Sequence, residues 1–212
     1  MNEQKKYEFT GEIKVAFGIK LKQIRAIINF GCVVAGEIGG WIECEENLSQ
    51  SGNAWVSGNA WVSGNARVFG DARVSGNARV SGDVRVSGNA RVFGNAWVSG
   101  NARVSGDAMV SGNARVSGDA RVSGNARVSG NAEVKKDDDY MVVGGAGRYN
   151  RFTTFFKCRD KTIKVVCGCF FGTIIEFRAK VKETHKGNKH EKVYLAMADM
   201  AELQIGNDEA EK

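Results

Sequence analysis

Proline is absent from all 212 residues, and between Ser51 and Val134 histidine, lysine, cysteine and threonine are absent as well. Without proline, every backbone N–H stays available to a hydrogen-bonded ladder. Without threonine rows, a flat two-sided ice-binding coil is excluded for that segment. Without histidine, lysine or cysteine, the segment has no general base, amine or thiol for catalysis. No apolar run approaches the eighteen residues of a membrane span, and the N-terminus shows no apolar stretch of signal-peptide length. Five cysteines, an odd count without framework spacing, point to a reducing compartment, so a bacterial cytoplasmic protein is expected.

What the segment does contain is one phrase, Ser-Gly-Asn-Ala-x-Val, repeated fourteen times without a gap, with x usually Arg. A fixed short period marks a solenoid. Within each unit Val and Ala point to one side while x and Ser point to the other, the period-two alternation of a strand. Gly-Asn or Gly-Asp then interrupts it, a pair that readily turns a corner. A strand and a corner every six residues predict a three-sided prism with eighteen residues per rung. Fourteen units then make between four and five rungs, a rod of roughly 22 Å at about 4.8 Å per rung. Pentapeptide repeats have the wrong period, and right-handed β-helices have longer, irregular rungs. Read from Val, the unit Val-Ser-Gly-Asn-Ala-Arg resembles the hexapeptide repeat of left-handed parallel β-helices. The expected fold is therefore mainly β, a left-handed parallel β-helix with an N-terminal cap and a small C-terminal α+β module.

The eighteen-residue register sorts the outward x positions into three columns. One is all arginine: Arg67, Arg85, Arg103 and Arg121. The second is Trp55, Arg73, Arg91, Met109 and Arg127, and the third Trp61, Arg79, Trp97, Arg115 and Glu133. The segment carries nine Arg against four Asp and one Glu, most of the chain's net charge of +6. The first column is a candidate polyanion-binding face for nucleic acid or an acidic protein. Alternatively, its Arg stems only keep a Val/Ala solenoid soluble. Trp61, Trp97, Phe69 and Phe93 break the polar pattern and are candidate interface residues, with a homo-oligomer contact expected around Trp97.

A solenoid needs its ends covered. Residues 1–50 are expected to form the N-terminal cap, with Ala35 to Ile42 as an imperfect first rung. Residues 51–134 form the solenoid, and 135–212 the α+β module. The entry segment Gly39-Gly40-Trp41-Ile42, followed by Asn47 to Ala54, resembles a bacterial family of hexapeptide-repeat β-helix proteins often carried by phages and prophages, of unassigned activity. Lys135 to Asp139 reads as a hinge or loop. Beyond it, Phe152–Cys158 and Thr162–Cys167 predict a β-hairpin. A helix is expected from Thr173 to about His185, and a second from Lys189 to Gln204 with Val193, Met197 and Met200 aligned. The string Arg151 to Phe156, then Cys167-Gly168-Cys169-Phe170 and Glu183-Thr184-His185, resembles a C-terminal module of phage and prophage proteins.

The left-handed β-helix is best known from trimeric acyl- and acetyltransferases, which resemble this chain in repeat only. Such a resemblance implies a histidine base in a cleft between solenoids, and both histidines here, His185 and His190, lie outside the repeats. The sequence is therefore read as non-enzymatic: no catalytic residues, no metal and no cofactor. The expected role is a rigid scaffold acting through a protein partner, in the phage-like setting a modulator of a host defence system. A nucleic-acid binder through the Arg column is the alternative. A third reading places an enzyme site wholly in the C-terminal module, whose candidates are Arg148, Arg151, Cys167, Cys169 and His185. Cys167 and Cys169, two apart in a strand, are expected to share one face. Their spacing is too tight for a structural zinc site.

Overall fold

A computed structural model describes residues 5–147 and 150–206; Arg148 lies outside them. The chain opens with an antiparallel hairpin, β1 (Tyr7–Ala16) and β2 (Ile19–Ala26), and then β3 (Ile38–Ile42). Fourteen two-residue strands, β4 (Trp55–Val56) to β17 (Glu133–Val134), follow at six-residue intervals. They stack into three parallel sheets, making a three-sided parallel β-solenoid of about five turns. Residues eighteen apart are direct partners, as in Arg67 with Arg85 and Val92 with Val110. The N–H groups of the x, Ser and Asn positions donate to carbonyls seventeen residues on: Arg91 to Ala108 at 2.9 Å, Asn95 to Gly112 at 2.8 Å. Every repeat Val and Ala from Ala54 to Val134 is fully buried, so the interior is one aliphatic column.

The corners explain the fixed glycine. Gly88 has φ +64°, and a Cβ there would meet the Gly106 nitrogen of the next rung at 2.9 Å. The neighbouring Asn side chains bond along the rod. Asn77 donates to Asn95 at 3.2 Å, and Asn53, Asn65, Asn89 and Asn101 each donate to an Asp one rung on at 2.8–3.0 Å. A carboxylate accepts but cannot donate, which is why Asp alternates with Asn in those columns.

The first rung is built from β3, where Trp41 pairs with Trp61 and Ile42 with Val62. Gly40 is required there by close approach, since a Cβ would meet the Ala60 carbonyl at 2.7 Å. The hairpin extends the same sheet and folds over its aromatics. Tyr7 and Phe30 pack on Trp55, and Phe17 at the hairpin turn stacks on Trp61 at 6.3 Å. Trp61, a candidate interface residue, is therefore covered by the chain's own N-terminal segment and buried.

The far end differs from the sequence reading in three respects. Lys135 to Asp139 is not a hinge: Asp137–Asp139 is a 3-10 turn, and buried Asp139 accepts from the Lys135 and Lys136 N–H groups at 2.7 and 3.1 Å. The expected hairpin is the centre of a four-stranded antiparallel sheet: β18 (Tyr140–Ala146), β19 (Arg151–Lys157), β20 (Ile163–Cys167) and β21 (Phe170–Thr173). The outer strands are glycine-containing and weakly alternating, which hid them. Two helices, α1 (Ile174–His185) and α2 (Lys189–Gly206), cover one face of this sheet. Thr173 caps α1 by accepting from the Glu176 N–H, while the Glu176 carboxylate accepts from the Thr173 N–H at 2.7 Å. The buried face of α2 is Tyr194, Met197, Ala198, Ala201 and Ile205, whereas Val193 and Met200 face outward. Small Ala198 and Ala201 let the helix sit close to the sheet, and that rotates the larger Val193 and Met200 away.

Strand β19 is the hinge-pin of the assembly. Its Phe155 enters the core beneath the helices, and its Phe156 enters the solenoid core, one residue to each side. Thr154 Oγ1 accepts from the Arg127 N–H at 3.0 Å, tying the sheet to the last rungs.

Candidate functional site in the C-terminal module

The helix side of β19 and β20 holds a pocket of about 380 Å³ between the sheet and the two helices, walled by Phe170 and Phe177. Cys167, His185, Tyr194 and Arg151 converge on it. Cys167 is the last residue of β20, opposite Thr153, whose buried hydroxyl donates to its sulfur at 3.2 Å. Tyr194 lines the same pocket from α2. Burial, reinforced by Cys167, pushes its phenol up to about 12, against the pull of the Arg151 guanidinium. Tyr194 is therefore a protonated hydroxyl donor at neutral pH. His185, at the end of α1, stacks on the Tyr194 ring at 5.4 Å, with His190 a further 5.8 Å away. The arrangement can offer a nucleophilic sulfur, an imidazole to move a proton and a hydroxyl to meet a developing oxyanion.

Glycines make this closeness possible. A Cβ at Gly147 would collide with the Tyr194 hydroxyl, and one at Gly168 with the Arg151 guanidinium. Gly168 also turns the chain at φ +62°, which corrects the expectation for the cysteine pair. Cys167 and Cys169 do not share a face: Cys167 enters the pocket, while Cys169 is exposed beyond the turn and lines a second cleft toward the solenoid. Among the described residues no three metal-ligating side chains converge, and no helix is long and apolar enough to cross a membrane.

Tyr194 and Thr153 were missed by the sequence reading. Tyr194 falls in the buried stripe of α2, where a phenol needs a polar partner, and that was the available signal. Thr153 gave none, because its role depends on the strand opposite.

On the rod, Arg67, Arg85, Arg103 and Arg121 form one exposed column in direct register and make no ion pair among the described residues. Trp97 is 41% exposed, with the Arg115 guanidinium 5.6 Å from its ring. Phe69 is exposed beside Arg67 and Arg85 in a shallow cleft, and Phe93 is half-buried.

The model of the YdcK Beta solenoid repeat family matches six overlapping windows of the rod: 72–87, 84–100, 97–112, 102–118, 108–124 and 120–134. The chain is a repeat β-solenoid protein. A relative from Escherichia coli (strain K12), named "Uncharacterized acetyltransferase YdcK", is 50% identical over 38 residues. Those residues are 18% of this chain and span 12% of the relative's length. The relative's name overturns the expectation that the chain is not an enzyme. The missing histidine argued only against a base on the solenoid. It did not bear on the module, where thiol, imidazole and phenol share one pocket.

Proposed function

We propose that the chain is an acyl-group transferase whose reacting groups sit in the helix-side pocket of the C-terminal module. The observation that carries this reading is the convergence of Cys167, His185 and Tyr194 on one pocket, with Thr153 donating to the Cys167 sulfur and His185 stacked on Tyr194. The name of the Escherichia coli relative supports the choice of reaction class. In this scheme the Cys167 sulfur attacks the carbonyl of an acyl thioester, forming a new C–S bond. Tyr194 donates a hydrogen bond to the carbonyl oxygen as it gains charge, a contribution worth about 10²–10³ in rate where such donors have been removed elsewhere. His185 takes the thiol proton and passes it to the departing sulfur. An amine or hydroxyl acceptor then attacks the acylated Cys167, and the thiol is restored. Phe170 and Phe177 wall the pocket, and that apolar wall suits a short acyl chain.

The test is intact-mass spectrometry after incubation with an acetyl thioester, alongside a thiol-release assay. The wild-type chain should gain one acetyl group, Cys167→Ala none, and His185→Ala should label about 10²–10⁴ times more slowly. Equal labelling and thiol release in all three proteins would sink the proposal.

A further inference from the structure

The outer faces of the rod differ in what accompanies their arginines. All four aspartates of the repeats, Asp71, Asp83, Asp107 and Asp119, stand on the two corners that bracket the all-arginine column, and the third corner is asparagine throughout. The face that continues the N-terminal hairpin touches only one of the acidic corners. Down it run Trp41, Trp61, Arg79, Trp97, Arg115 and Glu133, each paired with the next. Phe17, at the hairpin turn, stacks on Trp61 of this column. We propose that this tryptophan–arginine face binds a single-stranded nucleic acid, with bases stacked on Phe17 and Trp97 and the phosphate backbone at Arg79 and Arg115. Such binding is independent of the transferase reading above.

Three observations carry it. First, rings and cations alternate along the face. The Arg79 guanidinium lies 5.0 Å from the centre of the Phe17 ring and 5.9 Å from that of Trp61, and the Arg115 guanidinium 5.6 Å from that of Trp97. Rings that take bases and guanidiniums that take phosphates are the pairing by which single strands are held without regard to sequence. Second, the outer rings are open. Phe17 is 79% exposed and Trp97 41%. Phe17 also holds φ +53°, a left-handed conformation that is costly for a bulky residue, so the turn presents this ring against a backbone penalty. Trp61 and Trp97 are two rungs apart, about 10 Å, and the two platforms therefore bracket Arg79. Third, the cations are not offset. Neither Arg79 nor Arg115 makes an ion pair or a side-chain hydrogen bond among the described residues. Lys14 adds a further charge 4.3 Å from the Trp41 ring, and burial, then the charge of Arg79, lowers its ammonium below the ordinary 10.5. A phosphate at Arg79 would relieve that repulsion. The acidic groups lie at the rim: Glu133 at the far end is held by Lys135 at 3.5 Å, and Asp83 and Asp119 at the corner accept from Asn65 and Asn101. The all-arginine column has charge too, but its column contains no ring and both its corners are acidic.

The experiment is fluorescence anisotropy of a short labelled oligothymidylate titrated with the full chain over a range of salt concentrations. The wild type should bind, more weakly as salt rises. Trp97→Ala should weaken binding about five- to hundredfold, the loss of one stacked base, while Trp97→Phe should stay nearer the wild type. Phe17→Ala is a second variant at an exposed ring, with the same expected loss. Changing Arg79 and Arg115 together to Gln should lower the slope of log affinity against log salt by about 1.4, at about 0.7 per phosphate contact. Removing the same charge from the all-arginine face, with Arg85→Gln and Arg103→Gln, should leave the affinity within about threefold, because charges on another face are screened. An abasic strand of equal length should bind about tenfold more weakly or worse. A wild-type chain that binds no oligothymidylate at the lowest salt overturns the proposal. So does equal binding of the abasic strand, or an affinity that neither ring variant changes. A larger loss from the Arg85 and Arg103 changes would move the binding to the all-arginine face. Light scattering that shows a dimer lost in Trp97→Ala, with no oligothymidylate bound by the wild type, would make this face a contact between copies instead.

Discussion

At its first rung the solenoid presents mostly backbone carbonyls, and at its last mostly N–H groups, because the bonds from the x, Ser and Asn positions run from N–H to a carbonyl one rung ahead. The chain meets the two ends with opposite chemistry. The first is closed by donors. The buried Lys6 ammonium reaches the Ala54, Gly52 and Ser51 carbonyls at 2.8, 3.2 and 3.4 Å. The Tyr7 hydroxyl donates to Leu48 at 2.8 Å, and the Asn47 amide to Gly64 and Ala66 at 2.9 Å each. The last is closed by acceptors. Asp137 takes the Arg121 N–H at 2.7 Å, Thr154 takes Arg127, and Asp139 takes Lys135 and Lys136. A one-stranded parallel coil therefore has a chemical polarity along its axis, and its caps are not interchangeable. Cations and amides suit the beginning, carboxylates and hydroxyls the end. The carboxylate end also carries the module, whose pocket is where the candidate chemistry lies.

Three measurements would break or sharpen this contrast. The largest effect is expected from Lys6→Ala, which orphans several buried carbonyls at once. Denaturant unfolding should show a loss on the order of 3–5 kcal/mol. A loss below about 1 kcal/mol would mean that the first rung needs no cationic cap. Next, Asp139→Leu should cost about 2–3 kcal/mol by leaving two N–H groups without an acceptor, while Asp139→Asn, whose amide oxygen still accepts, should cost about 1 kcal/mol or less. Equal losses in both variants would show that charge, rather than acceptance, closes that end.

The smallest effect is the pH dependence of the Lys6 cap. Burial lowers its ammonium from the ordinary 10.5 to about 8, opposed by the charge of Asp71. The unfolded chain then binds more protons than the folded one between about pH 8 and pH 10.5, so this group makes stability rise with pH across that window. Below pH 8 Lys6 is charged in both states and its contribution is flat. Stability of the wild type relative to Lys6→Met should rise by about 2 kcal/mol from pH 7 to pH 10. Tyr7 acts in the opposite sense only above pH 10, because burial and the nearby Glu45 raise its phenol. A difference that stays constant from pH 7 to pH 10 would show that the ammonium is solvated.

The rod was legible in the sequence residue by residue. Each Val and Ala fell inside, each x position on the outer side of the wall, where the N-terminal segment covers Trp55 and Trp61, and the three columns are the observed ladders. Such legibility follows from locality: six residues contain a strand, a corner and the alternation that separates inside from outside. In the module the helices were equally visible, through the Thr173 cap and the buried Ile174, Phe177 and Val181. Strands β18 and β21 were not, since their pairing partners define them more than their own residues do. Lys6 gave no sign of being buried, because a lysine near a chain start ordinarily stays in water.

The candidate site was legible only in parts. Cys167, His185 and Arg151 stood out by residue type, but nothing in their spacing joined them; Tyr194 signalled only through its place in the buried stripe of α2, and Thr153 was silent. Sequence alone determined the solenoid, its eighteen-residue rung, its aliphatic interior and its charged columns, because a repeated local pattern permits a single alternation of inside and outside. The tertiary structure alone decided what closes each end and which side chains meet. Caps and pockets are formed by residues far apart in the chain, brought together when the first rung finds its donors, the last rung its acceptors, and β19 sends one phenylalanine into each core.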